Sequence, residues 1–341
     1  MSTKDQWNIK GLELSLKFDW VTARNTSHSK TNFIIQMGKN EFVGLGEVAP
    51  NIRYGENAEL IKKQFEYFLE ILSQNEMRSK DLVSFEALAN ILDEVEVCSS
   101  LRFGIEQAFL HYLSELSETS PQKLLGHKEV SSVYTSFSIP LIPIGQIKDF
   151  IDKHKLSRFP ALKIKINNEE SLKRVQEVRK NYKGKLRLDA NESFTDFDQL
   201  VNFTKEVDPL QIEFLEQPFP ADFHQQYFEL QGLSPVLIFA DESLTNQDIS
   251  DYFPARFDGV VVKLMKAGSF FKASKQLREA KAKGMYTMLG CMVETSIGIS
   301  GAMYLADQVD FFDLDGHLLL SKDPYGKVTE EKGRLFFSHL H

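Results

Sequence analysis

The 341-residue chain is 42% hydrophobic and 26% charged, an ordinary balance for a water-soluble globular protein, and long enough for one large domain beside a smaller one. Its net charge of −8, from 40 basic and 48 acidic residues, leaves no basic footprint for nucleic acid, and no apolar run approaches membrane-spanning length. The two cysteines, Cys98 and Cys291, are too few for a disulfide framework and stand in no metal-binding spacing, which points to a reducing cytoplasm.

Residues 7–18 alternate loosely (Trp7, Ile9, Leu12, Leu14, Leu16), and the runs 32–37 and 42–48 follow, so the chain opens on a three-stranded meander. Helical spacing of apolar residues then recurs over roughly 57–75, 82–96 and 101–117. Strands followed by helices predict a separate α+β unit over residues 1–125.

From residue 126 to 318 the pattern changes to short apolar strands alternating with amphipathic helices. The predicted strands are 132–138, 161–166, 185–189, 211–215, 236–240, 259–263, 285–290 and 310–314. Residues at the strand ends, Lys163, Asp189, Glu216, Asp241, Lys263, Gly290 and Asp313, are separated by 26, 27, 25, 22, 27 and 23 positions. An open doubly wound sheet would give the same alternation, but no glycine-rich phosphate fingerprint follows the first strand, and eight even units favour closure. The expected fold is α/β: a (β/α)7β TIM-like barrel, with a capping domain formed by the N-terminal third and by the tail 319–341 returning to it.

A barrel of this kind builds its site at the C-terminal ends of its strands. Asp189, Glu216 and Asp241 would point into one mouth from three neighbouring staves, where their mutual repulsion calls for a cation. Hard oxygen ligands without His or Cys select Mg²⁺, one per site. Asn191 shares the face of Asp189 by the period of two and is a supporting polar contact, as is Lys266 beyond the sixth strand. Lys163 and Lys165 share a face on the second strand, and Lys263 ends the sixth, four staves away and therefore opposite. Ammonium neighbours and a divalent cation are expected to depress the lysine pKa from about 10.4, making a base near neutral pH. Two bases on opposite sides of one carbon are what inversion of a stereocentre requires.

Lys-x-Lys at 163–165, Asp-Ala-Asn at 189–191, Glu-Gln-Pro at 216–218, Ala-Asp-Glu-Ser at 240–243 and Lys-Leu-Met-Lys at 263–266 together resemble the enolase superfamily, in its muconate-lactonizing subgroup. The resemblance spans essentially the whole chain, including Gly44-Leu45-Gly46-Glu47-Val48-Ala49-Pro50. It implies that Asp189, Glu216 and Asp241 hold Mg²⁺, that Lys165 and Lys263 are the bases, and that Lys163 positions and stabilises charge. This plan, a lysine base with Mg²⁺ facing an enediolate, is a general one for the superfamily. One departure is Val262, where relatives often carry Asn before the second base.

The subgroup includes muconate cycloisomerases, o-succinylbenzoate synthases, N-acylamino acid racemases and dipeptide epimerases. Asp313-x-Asp315 resembles the motif with which dipeptide epimerases hold the substrate N-terminus, so an Ala-Xaa dipeptide, inverted at its second residue, is the expected substrate. Arg24, in the polar segment 22–26, would help hold a substrate carboxylate or side chain, Thr135 would contact the peptide, and Met292 would supply an apolar wall. An N-acylamino acid racemase or o-succinylbenzoate synthase, and a non-catalytic peptide binder on the same scaffold, are the alternatives. A small molecule is the expected partner, with no nucleic acid or membrane, and association into a homo-oligomer is left open.

Overall fold

The structure, a computed structural model, describes residues 6–39, 41–74, 84–167 and 170–337. Strand β1 (Trp7–Val21) turns through residues 22–25 into β2 (Thr26–Lys39), which pairs with β3 (Phe42–Val48), all antiparallel. The hairpin outruns its apolar alternation. Trp20 faces Ser27 and Val21 faces Thr26, so backbone pairing alone carries the polar stretch of β2 outward as a ribbon. The helices fall at Ala58–Gln74, Phe85–Glu94 and Ser99–Ser117; residues 75, 82 and 83 of the expected spans lie outside the described residues. Ser84 starts the second helix by accepting a hydrogen bond from Ala87 N at 3.2 Å. The third helix lies directly on β3: a Cβ at Gly44 would fall 1.8 Å from Ala108 O, and one at Gly46 would fall 1.9 Å from Gly104 O. Only glycine permits that approach.

The predicted first barrel strand, 132–138, is broken at Thr135 into β4 (Ser132–Tyr134) and β5 (Ser136–Ile139). Seven parallel strands continue from β5: β6 (Ala161–Lys165), β7 (Lys185–Asp189), β8 (Ile212–Glu216), β9 (Leu237–Ala240), β10 (Gly259–Val262), β11 (Tyr286–Gly290) and β12 (Phe311–Asp313). They form one eight-stranded sheet in sequence order, the expected α/β TIM-type barrel. Both of its faces are covered, so β5, β6 and β10 are buried at every residue and read as continuous apolar runs with charge only at selected points. Helices connect six of the seven strand pairs; β9 and β10 are joined by turns alone. Side chains bind the seam between β12 and β5: Ser136 Oγ donates to Asp313 Oδ1 at 2.6 Å, and Leu314 N donates to Thr135 Oγ1 at 2.8 Å.

The tail touches the N-terminal unit where Leu320 bridges to Leu16 and Ser321 N donates to Ser15 O at 2.8 Å. It then forms β13 (Val328–Glu331) and β14 (Arg334–Phe337), and β14 pairs with β4 rather than with β1–β3. Residues 338–341 of the expected tail lie outside the described residues. Two buried glutamates dock the N-terminal unit on the barrel. Glu47 accepts from Thr295 Oγ1 (2.6 Å) and Gly298 N (3.0 Å), and Glu106 accepts from Phe270 N (3.0 Å). Each carboxylate thus meets the N-terminus of a barrel helix, Ser296–Met303 or Phe270–Ala282, where free N–H groups favour negative charge.

Candidate active site

The C-terminal strand ends and the N-terminal unit enclose a cavity of about 620 Å³. Lys163, Lys165, Asn191, Asp241, Lys263, Asp313 and Asp315 line it from the barrel; Arg24, Trp20 and residues 50–54 line it from above. Lys165 and Asp313 end their strands, Asp241 and Lys263 stand one step beyond, Asn191 and Asp315 two steps beyond, and Lys163 lies within β6.

Asp189, Glu216 and Asp241 stand on the adjacent staves β7, β8 and β9, and all three are buried. Lysines interleave with them. Lys165 Nζ lies 2.5 Å from Asp189 Oδ2 and 3.0 Å from Asn191 Oδ1. Lys263 Nζ lies 2.8 Å from Asp241 Oδ2 and 4.0 Å from Glu216 Oε1. Lys266 Nζ reaches Asp241 twice, at 2.5 Å to Oδ1 and 2.5 Å to the backbone oxygen, and Val261 O at 3.3 Å. Gly290 keeps the path of Lys263 open, since a Cβ there would stand 2.9 Å from Lys263 Cε.

Lys163 sits in the mouth, 3.3 Å from Asp189 and 3.4 Å from Glu216, and bonded directly to Asp313, two staves away past β5. Asp313 is therefore already paired. Asp315, two residues on, accepts from Ser138 N at 2.6 Å.

The electrostatics correct one expectation. Burial opposes the charge on Lys163, but Asp313, Glu216 and Asp189 outweigh it and hold the pKa well above the ordinary lysine value. Lys263 is raised likewise: burial is outweighed by Asp241 and Glu216. The sequence argument counted ammonium neighbours and a cation, whereas in space the carboxylates outnumber the ammonium groups. Lys266 is lowered, chiefly by burial. Asp189 is held to about 2, because Lys165 and Lys163 override its burial. Burial and the charge of Asp189 push Glu216 well above the carboxylate range. Burial and Asp313 raise Asp315 to about 6.

Among the described residues no three carboxylates already converge as a ligand set, and the lysine ammonium groups lie between them. The donor set nevertheless fits a hard divalent cation. All three groups are carboxylates on neighbouring strand ends, and Glu216 Oε1 is buried with no hydrogen-bond partner, an orphan acceptor that a cation would satisfy.

Of the remaining expected contacts, Met292 lines the cavity, and Asn191 touches Lys165 as above. Asn191 reaches it from a left-handed backbone (φ 45), beyond the end of β7, so the period of two does not account for its position. Thr135 does not line the cavity. Its hydroxyl donates to Ser136 O at 3.1 Å and accepts from Leu314 N, which commits it to the barrel seam, while Ser138 lines the cavity from the same stave. Arg24 lies at the mouth, but two glutamates hold it: Nη1 is 2.8 Å from Glu192 Oε2, and Nη2 bonds Glu242 Oε1. Arg53 grips the same Glu192 at 3.0 and 2.7 Å. The sequence reading missed Glu192, Glu242 and Arg53. Glu242 follows a ligand candidate directly and would face away in an extended strand, yet β9 ends at Ala240 and the chain turns there. Nothing in the spacing marks the other two.

A closed parallel barrel with three carboxylates on consecutive staves and lysines on both sides defines a barrel enzyme of the enolase type. The family described as "Enolase C-terminal domain-like" matches residues 146–325, and the chain belongs to it. The chain is 32% identical over 341 residues to an L-Ala-D/L-amino acid epimerase of Pedosphaera parvula, covering 96% of this chain and 94% of that one. It is 28% identical over 334 residues to an L-Ala-D/L-amino acid epimerase of Flavobacterium johnsoniae, covering 98% and 97%. Among solved structures it resembles a dipeptide epimerase of Enterococcus faecalis complexed with Mg and the dipeptide L-Leu-L-Tyr, with TM-score 0.86, 25% identity, and coverage of 98% and 96%.

Proposed function

We propose that this chain is a dipeptide epimerase that inverts the α-carbon of the C-terminal residue of an Ala-Xaa dipeptide by two-base proton transfer. The observation that carries the reading is the placement of Lys165 and Lys263 on opposed staves, β6 and β10, with the carboxylate arc β7–β9 between them. One lysine, neutral, takes the α-proton from one face; the other, protonated, returns a proton to the opposite face. Asp189, Glu216 and Asp241 would hold Mg²⁺, which supplies counter-charge for the substrate carboxylate as it becomes an enediolate. A divalent cation at these oxygens would also draw carboxylate charge away from the lysines, which favours a neutral base. Lys266 fixes Asp241, and Asn191 fixes Lys165, through the bonds described above. Lys163 holds positive charge in the mouth, and Asp315, with Asp313 behind it, faces the substrate ammonium.

A second reading, racemisation of an N-acylamino acid, is favoured by one observation: Asp313 is already neutralised by Lys163, which reduces the negative charge offered to an ammonium. Deuterium exchange at the α-carbon in D₂O separates the readings. Free dipeptides exchange faster than N-acylamino acids if the proposal holds; the reverse order establishes the racemase, and no exchange with either class indicates a binding protein. The two unpaired cysteines fit a cytoplasmic setting, and among the described residues no helix is long and apolar enough to cross a membrane.

A further inference from the structure

The cavity has four sides, and three are assigned by the proposed function on which this inference rests. The carboxylate arc takes the substrate carboxylate, the opposed lysines face the α-carbon, and Asp315 faces the ammonium. What remains for the side chain of the epimerised residue is the roof supplied by the N-terminal unit and the loop after β11.

Both arginines on that roof are already paired. Arg24 is bracketed by Glu192 and Glu242, and Arg53 by Glu192, so two cations meet two anions. Glu192 is saturated, since it also accepts from Ala221 N at 2.9 Å. Glu242 is not: it is buried, its Oε1 accepts only from Arg24 and from Asn191 at 3.3 Å, and its Oε2 has no partner. An acidic side chain that recruited Arg24 would strip this carboxylate of its one cation and leave it buried beside a single amide. Lys30, the other roof cation, donates to Pro50 O at 2.8 Å, amid Glu294, Glu56 and Glu47. An incoming carboxylate would compete with these glutamates for Lys30, and an incoming ammonium meets Lys30 itself. Glu56 is spent on Asn51 N (3.2 Å) and Ser100 N (3.0 Å).

Between these charges the roof is uncharged: Trp20, Ile52, Met292 and Val293 supply apolar surface, beside polar side chains such as Thr22, Asn25 and Tyr54. Ile52 is 86% exposed although it borders the cavity, a large aliphatic side chain held in water at the rim. Burying it against a substrate would be favourable.

We infer that the enzyme selects dipeptides whose C-terminal side chain is uncharged and mainly apolar, with the Arg24–Glu242 pair excluding acidic side chains. The test is kcat/KM for α-carbon deuterium exchange with L-Ala-L-Leu, L-Ala-L-Gln, L-Ala-L-Glu and L-Ala-L-Lys. L-Ala-L-Leu should exceed the Glu and Lys dipeptides by about tenfold or more, since a charged side chain must displace a charge-assisted bond. A Glu or Lys dipeptide that matches L-Ala-L-Leu overturns the selectivity and leaves the dipeptide reading standing. Failure of all four to exchange overturns the dipeptide reading and the selectivity with it. Glu242→Gln, which frees Arg24 from its charged partner, should raise the ratio of L-Ala-L-Glu to L-Ala-L-Leu by about tenfold. Glu192→Gln should raise it in the same direction. A merely structural role would lower both substrates alike, so an unchanged ratio in both variants overturns the assignment to Arg24.

Discussion

Asp315 and Asp313 stand two residues apart at the same strand end, yet the structure predicts different consequences for the same substitution. In Asp315→Asn the amide oxygen can still accept from Ser138 N, now at 2.6 Å, so the loop after β12 keeps its anchor while the charge is lost. If Asp315 holds the substrate ammonium, what disappears is one charge-assisted hydrogen bond, worth roughly 1.5–3 kcal/mol. That corresponds to about a 10- to 150-fold fall in kcat/KM for free dipeptides. N-acetylated dipeptides carry no ammonium and should lose far less. Asp313→Asn removes instead the partner of Lys163, and the excess positive charge falls in the mouth, so both substrate classes should suffer together. The assay is α-carbon deuterium exchange with matched free and N-acetylated dipeptides, on variants checked for unchanged thermal unfolding. Because Asp315 is raised to about 6 by burial and by Asp313, its charged form is lost as pH falls below that value. Free dipeptides should therefore show an acid limb in kcat/KM near pH 6 that is absent in Asp315→Asn. Equal losses for both substrate classes in Asp315→Asn would refute the reasoning, as would an unchanged acid limb.

The remaining expectations concern the metal, the bases and stability. Asp189→Asn, Glu216→Gln and Asp241→Asn should each weaken Mg²⁺ binding measured by calorimetry; a variant that binds as the parent does is not a ligand. Lys165→Ala and Lys263→Ala should each abolish epimerisation, yet each should still exchange solvent deuterium into one epimer, a different one in each variant. Exchange of the same epimer by both would rule out opposed bases. Glu294 is raised from an ordinary 4.5 to about 8, by burial and then by Glu47, so the native state binds its proton more tightly than the unfolded chain does. Folding stability from this group therefore falls as pH rises from about 4.5 to about 8, where the native state must ionise it or stay protonated at a growing cost. Denaturant unfolding of Glu294→Gln should thus gain on the parent across that window, and a constant difference between pH 5 and pH 8 would contradict the assignment.

The sequence by itself determined the barrel and its ring of charged strand ends. Strands buried on both faces must be nearly all apolar, so Lys163, Asp189, Glu216, Asp241 and Lys263 stand out against Val, Ile, Leu and Phe, and their even spacing follows from one strand and one connection per stave. Where a segment crosses a boundary, that logic fails. Residues 132–138 look like one strand, but Thr135 turns its hydroxyl to Leu314 N and divides it between two sheets, a choice made by a partner 179 positions away. The tail could be read as strands but not assigned a neighbour, since β14 chooses β4 only once the barrel has brought it near. The partners of the site residues were hidden for the same reason. Arg24 meets Glu192 across 168 positions and Glu242 across 218. Direction of titration was the least legible property. A lysine's pKa reflects the sum of nearby charges and burial in three dimensions, and only closure of the barrel puts Asp313 against Lys163 and Asp241 between Lys263 and Lys266.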